Sequence, residues 1–120
     1  MKIVITAQGD NLDTKVDLRF GRAKNFIIFD TESDTYECID NIQNLNAIQG
    51  AGIQAAQNVA NTGAEAIITG SCGPKAFRVL SAASIKVYTG GADTVRECIE
   101  MFRNGKLTES TEANVPGHWM

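Results

Sequence analysis

A three-layer α/β fold around a mixed central sheet is predicted by three features of this 120-residue chain. Two strand-like runs separated by a short polar turn come early, which predicts an antiparallel hairpin. Strand-like and helix-periodic segments then alternate, which predicts parallel crossovers. Glycine or proline marks each change of period, and the length suits one domain.

The first strand is predicted at Lys2–Thr6, whose β-branched run suits burial on both faces, with a turn at Gln8–Asn11. No clear period runs from Asp13 to Lys24, so a loop is expected there. Asn25–Asp30 and Thr35–Asp40 are the hairpin strands, joined by Thr31–Asp34. After the polar connection Asn41–Asn46, Gly50–Asn61 carries Ile53, Ala56, Val59 and Ala60 at helical spacing, with Gly63 as its C-cap. Ala66–Thr69 reads as a short buried strand. Gly70–Pro74 turns into a second helix with Pro74 at its first position and Ala76, Phe77 and Leu80 facing inward. Ser84–Tyr88 gives another strand, broken by Gly90 and Gly91. Thr94–Arg103 gives a helix with Val95, Cys98, Ile99 and Phe102 on one face, ended by Gly105. The order of elements resembles the ribonuclease H-like arrangement. Residues 1–107 form the expected domain, and 108–120 a polar tail expected to be loosely held unless Trp119 docks.

Composition narrows the function classes. The net charge is -3 and the eleven Lys and Arg residues are dispersed, so nucleic acid loses its usual electrostatic driver. No apolar run approaches the roughly 20 residues needed to cross a bilayer, and the chain opens directly into a strand, so a cytoplasmic protein without a membrane partner is expected. Cys38, Cys72 and Cys98 make neither a disulfide framework nor a paired zinc motif and are expected as thiols.

Three segments carry candidate chemistry. In Asp17–Ala23, Arg19 and Arg22 flank Phe20 and Gly21, a pattern that can present guanidinium donors to an anion. The same residues suit a plain structural loop, in which Asp17 pairs with an arginine and Phe20 anchors to the core. Gly50, Ala51 and Gly52 open the alanine-rich helix and leave amides accessible at its positive end, although such small residues also suit close packing. Gly70, Cys72 and Gly73 lie between a strand and a helix start, where open α/β sheets place ligands. A helix N-terminus can lower the pKa of Cys72 and favour a metal-binding thiolate, whereas a buried cysteine is often only a small hydrophobe. Cys98 and Cys38 read as structural, and His118 lies in the tail. A hydrolase or nuclease finds no support, because neither a nucleophile triad nor converging carboxylates can be assembled, and the first strand carries no acid.

The ordered set Val16–Phe26, Gly50–Ile53, Ile68–Gly70, Gly73–Ala76 and Gly105–Leu107 resembles the dinitrogenase iron-molybdenum cofactor biosynthesis family over about Met1–Leu107. The resemblance implies a ribonuclease H-like fold and a non-catalytic role like that of NifX, NafY or the carboxy-terminal part of NifB. Those proteins bind an iron-molybdenum cofactor or its iron–sulfur precursor and work with cofactor-assembly proteins. It implies a metallocluster held by Arg19, Phe20, Gly21, Arg22, Gly50, Ala51, Gly52, Gly70, Cys72 and Gly73, with Cys72 as the metal ligand. Several cofactor-binding relatives carry a histidine near these glycine-rich segments, where this chain has Gln49 and Cys72. The alternative reading is a protein-interaction or small-anion-binding regulatory module unrelated to nitrogenase.

Overall fold

The structure is a computed structural model that describes residues 1–41, 51–89 and 93–110. Six strands, β1 (Lys2–Ala7), β2 (Asn25–Asp30), β3 (Thr35–Asp40), β4 (Ala66–Thr69), β5 (Lys86–Thr89) and β6 (Thr108–Ser110), form one mixed sheet. Their order is β3-β2-β1-β4-β5-β6. Helices α1 (Ala51–Asn61), α2 (Pro74–Ala82) and α3 (Val95–Arg103) complete the described elements.

The apolar run of β1 is at the centre because both its faces are covered. It pairs antiparallel with β2 from Lys2↔Asp30 to Ala7↔Asn25, and parallel with β4 from Ile3↔Ala66 to Ile5↔Ile68. Alternate residues feed two cores. Val4, Ile28, Ile67 and Val87 pack with Ala55, Ala56 and Val59 of α1 and Ala76 and Leu80 of α2. Ile3, Ile5, Ile27, Phe29 and Ile68 pack with Val95, Cys98 and Ile99 of α3. The layers are therefore α1 and α2, the sheet, and α3.

Local chemistry fixes the joints. The hairpin turns on Asp34 at φ 59°, whose amide donates to the Asp30 carbonyl, while the Asp30 carboxylate accepts from the amides of Glu32 and Ser33. Helix α1 gives way at Gly63 (φ 79°) and α3 at Gly105 (φ 68°), left-handed positions that glycine takes without steric cost. Thr94 caps α3 through a reciprocal box with Glu97.

Two expectations change. Residues 108–110, expected within the loose tail, form the edge strand β6 against β5, and the Thr89 and Ser110 hydroxyls lie 2.9 Å apart. The fifth strand begins at Lys86 rather than Ser84, because Ser84 sits at φ 61° in the turn leaving α2. Gln49, Gly50, Gly90, Gly91, His118 and Trp119 lie outside the described residues.

Candidate functional site

β1 and β4 run parallel and end side by side at Ala7 and Thr69, and the loops leaving them interlock. Two buried threonines start the joint. Thr6 Oγ1 lies 3.0 Å from Thr69 Oγ1 and donates to the Asp17 carbonyl at 2.6 Å, while the Asp17 amide donates to the Thr6 carbonyl. Ser71 then clamps the next residues. Its hydroxyl donates to the Leu18 carbonyl at 2.8 Å, its carbonyl accepts from the Phe20 amide at 3.2 Å, and Arg19 and Ser71 make a parallel β-bridge. A Cβ at Gly70 would lie 2.8 Å from the Leu18 Cα, so glycine is what lets the two backbones meet.

The remaining partners are equally specific. Phe20 is buried in the α1/α2 core with Phe26, Cys72 and Ala76. The buried Asp17 carboxylate accepts from the amides of Arg19 and Lys24 at 3.1 and 3.3 Å, and lies 3.6 Å from the Arg19 Nε. The alternative structural reading of this loop, with Asp17 paired to an arginine and Phe20 as anchor, is thus part of what the structure contains. The Arg19 guanidinium nevertheless faces solvent, and Arg22 is half-buried. Asn41, at the end of β3, donates its side-chain amide to the Ala23 carbonyl at 2.8 Å and to the Gly21 carbonyl at 3.4 Å.

The helix starts lie at the same edge. Gly73 is the N-cap of α2, with no side-chain cap, and Pro74 opens the helix. A Cβ on Gly52 in α1 would lie 3.4 Å from the Ala76 Cβ in α2, so the first turns of the two helices are neighbours. Neither first turn carries an acidic residue, which leaves their positive dipole ends uncompensated from within. Lys75 is exposed in the first turn of α2. Arg19, Phe20, Gly21, Arg22, Gly52, Gly70, Cys72 and Gly73 therefore lie on adjoining segments. Ala51 begins α1, and Gly50 lies outside the described residues.

Cys72 departs from its expected chemistry. It is 2% exposed, belongs to the α1/α2 core, and burial pushes its thiol up to about 11 instead of lowering it. In the unliganded chain desolvation thus favours the neutral thiol. Among the described residues no group of three or more His, Cys, Asp or Glu side chains gathers to hold a metal ion. Of three cavities of about 590, 440 and 230 Å³, the one of 590 Å³ lies between Glu37, Ile39 and Asp40 of β3 and Asn58 and Asn61 of α1 and touches the junction through Asn41; none of the three is lined by Arg19, Arg22, Cys72 or Gly73. Among the described residues, the loop junction brings the Arg19–Arg22 loop beside the first turn of α2, which that groove does not.

Sequence reasoning missed Asn41, Ser71 and the Thr6–Thr69 pair. Asn41 stood in a polar connection, and its partners are main-chain carbonyls about twenty positions earlier.

With this geometry in view, the profile of the family described as dinitrogenase iron-molybdenum cofactor matches residues 1–105. The chain belongs to that family. Membership supports a role in iron-molybdenum cofactor biosynthesis. The apo form of the orange protein from Desulfovibrio gigas is 41% identical, with a TM-score of 0.91, covering 94% of this chain and 95% of that one. A candidate NifB protein from Thermotoga, solved by NMR, is 36% identical at a TM-score of 0.83, covering 97% and 98%. An uncharacterized protein of Methanocaldococcus jannaschii is 34% identical over 109 residues, 89% of each chain. No helix among the described residues is long and apolar enough to cross a membrane.

Proposed function

We propose that this chain is a non-catalytic carrier that seats an anionic metal–sulfur cluster, an iron-molybdenum cofactor or its iron–sulfur precursor, at the carboxyl edge of β1 and β4. The observation that carries the reading is the Arg19–Ser71 bridge, which brings the Arg19–Arg22 loop beside the first turn of α2. Guanidinium groups and helix-start amides are weakly hydrated or preoriented donors, suited to the sulfides of a cluster bearing several negative charges. The attachment we propose is carried by charge and amide contacts, since the Cys72 side chain is buried in the α1/α2 core. Strand order, with the early hairpin beside a parallel core, supports placing the fold in the ribonuclease H-like class. Family membership supports cofactor-assembly proteins as the partners that deliver and receive the cluster.

The test is anaerobic mixing of the purified chain with a preformed iron–sulfur cluster. Stoichiometric iron and sulfide with a charge-transfer absorption are expected, largely lost in an Arg19→Ala/Arg22→Ala chain and retained in Cys72→Ser. Absence of uptake by the wild-type chain contradicts the reading.

One observation favours a second reading. Leu18 is 65% exposed beside Arg19 on a fixed backbone, which suits an anion-binding or protein-interaction module unrelated to nitrogenase. A thermal shift with simple anions and none with clusters would select it.

A further inference from the structure

Two buried polar side chains hold the Arg19–Arg22 loop, one through its amides and one through its carbonyls. Asp17 is 3% exposed, and its carboxylate accepts from the Arg19 amide near one end of the loop and the Lys24 amide at the other. Asn41 is also 3% exposed; its side-chain amide reaches the Gly21 and Ala23 carbonyls, and its backbone amide donates to the Lys24 carbonyl at 2.8 Å. Between them they hold four of the eight residues 17–24, Arg19, Gly21, Ala23 and Lys24, by main-chain contacts, and Asp17 is itself fixed to Thr6.

A buried carboxylate beside cations is an odd choice for an anion site if charge alone matters. Its negative charge opposes any anionic guest, and burial makes it costly unless it is well bonded. Its hydrogen bonds are to main-chain amides and its ion pair with the Arg19 Nε at 3.6 Å orients that side chain, so what it supplies is loop geometry. A loop ordered before binding loses less entropy when the guest arrives.

We propose that Asp17 and Asn41 are positioning residues that preform the loop, so that anion affinity depends on them although neither touches the guest. The proposal rests on the carrier reading above. It makes a prediction of sign: removing the negative charge of Asp17 weakens anion binding, where Coulomb attraction alone would strengthen it.

Asp17→Asn keeps the size and one acceptor oxygen. In the unliganded chain the amides of Arg19 and Lys24 are expected to exchange about tenfold faster, the worth of one hydrogen bond. The amides of Ile5 and Ile68 in the sheet keep their protection. Binding of a preformed iron–sulfur cluster, measured anaerobically, is expected to weaken about tenfold. Asn41→Ala removes the bonds to the Gly21 and Ala23 carbonyls instead and is expected to speed exchange across Arg19–Lys24 in the same way, which keeps the test decisive should Asp17→Asn not fold. Unchanged exchange in these variants overturns the proposal, as does faster exchange with cluster binding unchanged or tighter. Faster exchange in the variants with no uptake by the wild-type chain overturns the carrier reading and not the ordering role.

Discussion

Gly70 has no room for a methyl group: its Cβ would fall 2.8 Å from both the Leu18 Cα and Cδ2, and the backbone atom cannot swing away. Gly70→Ala must therefore part the loops leaving β1 and β4. We expect a loss of about 1–3 kcal/mol in denaturant unfolding, the usual range for overpacking, together with weaker cluster uptake. Gly73, where an added Cβ meets nothing within 4 Å, is the steric control, and Gly73→Ala should escape the overpacking loss in the unfolding assay. Cys72 gives a pH test. Its thiol ionises at about 11 in the fold against an ordinary value of 9.0. The raised folded value favours the neutral form, so its contribution is fully present below pH 9 and is lost as pH rises toward 11. That loss is on the order of 2 kcal/mol and should flatten in Cys72→Ser, as read from unfolding midpoints between pH 8 and 11. An unchanged alkaline slope in Cys72→Ser would show the thiol to be solvated.

At the scale of elements, α3 links the second core to the loop after β1. The amides of Val95 and Arg96 donate to the carbonyls of Thr14 and Leu12, and the Arg96 Nε bonds the Asp13 carboxylate at 2.9 Å, holding that carboxyl below its ordinary range. Thr94 starts this arrangement, its hydroxyl accepting from the Glu97 amide. Thr94→Ala should cost about 1 kcal/mol, and Thr94→Ser should restore most of it, by thermal or denaturant unfolding. Helix α3 was legible because Val95, Cys98, Ile99 and Phe102 keep a 3.6 period along a single face. β6 was not, because Thr108, Glu109 and Ser110 are polar and gain strand character only from the β5 edge. The Ser84 boundary failed similarly, since a left-handed serine in a β-like run leaves no mark on the apolar pattern.

On the scale of the whole molecule, layer order and central strands followed from periodicity, because β1 and β4 are buried on both faces and read as unbroken apolar runs. The candidate site's geometry was half legible. Arg19, Phe20, Gly70 and Gly73 were marked by glycine placement beside cations, and they do adjoin in the fold. What could not be read was the stitching, because Asp17, Asn41 and Ser71 bond main-chain atoms, and a side chain's bond to distant backbone carries no sequence pattern. For Cys72 the sequence left two readings, a thiolate before a helix start or a small buried hydrophobe, and its place in the core with Phe20 and Ala76 raises its pKa in the unliganded chain. The central claim is that this preformed edge holds an anionic cluster by charge and amide contacts. Metal and acid-labile sulfide analysis of the chain purified anaerobically from the cells that make it tests that claim most directly. The account predicts iron and sulfide co-eluting with the wild-type chain and absent from Arg19→Ala/Arg22→Ala; wild-type protein carrying no more of either than that variant would contradict it.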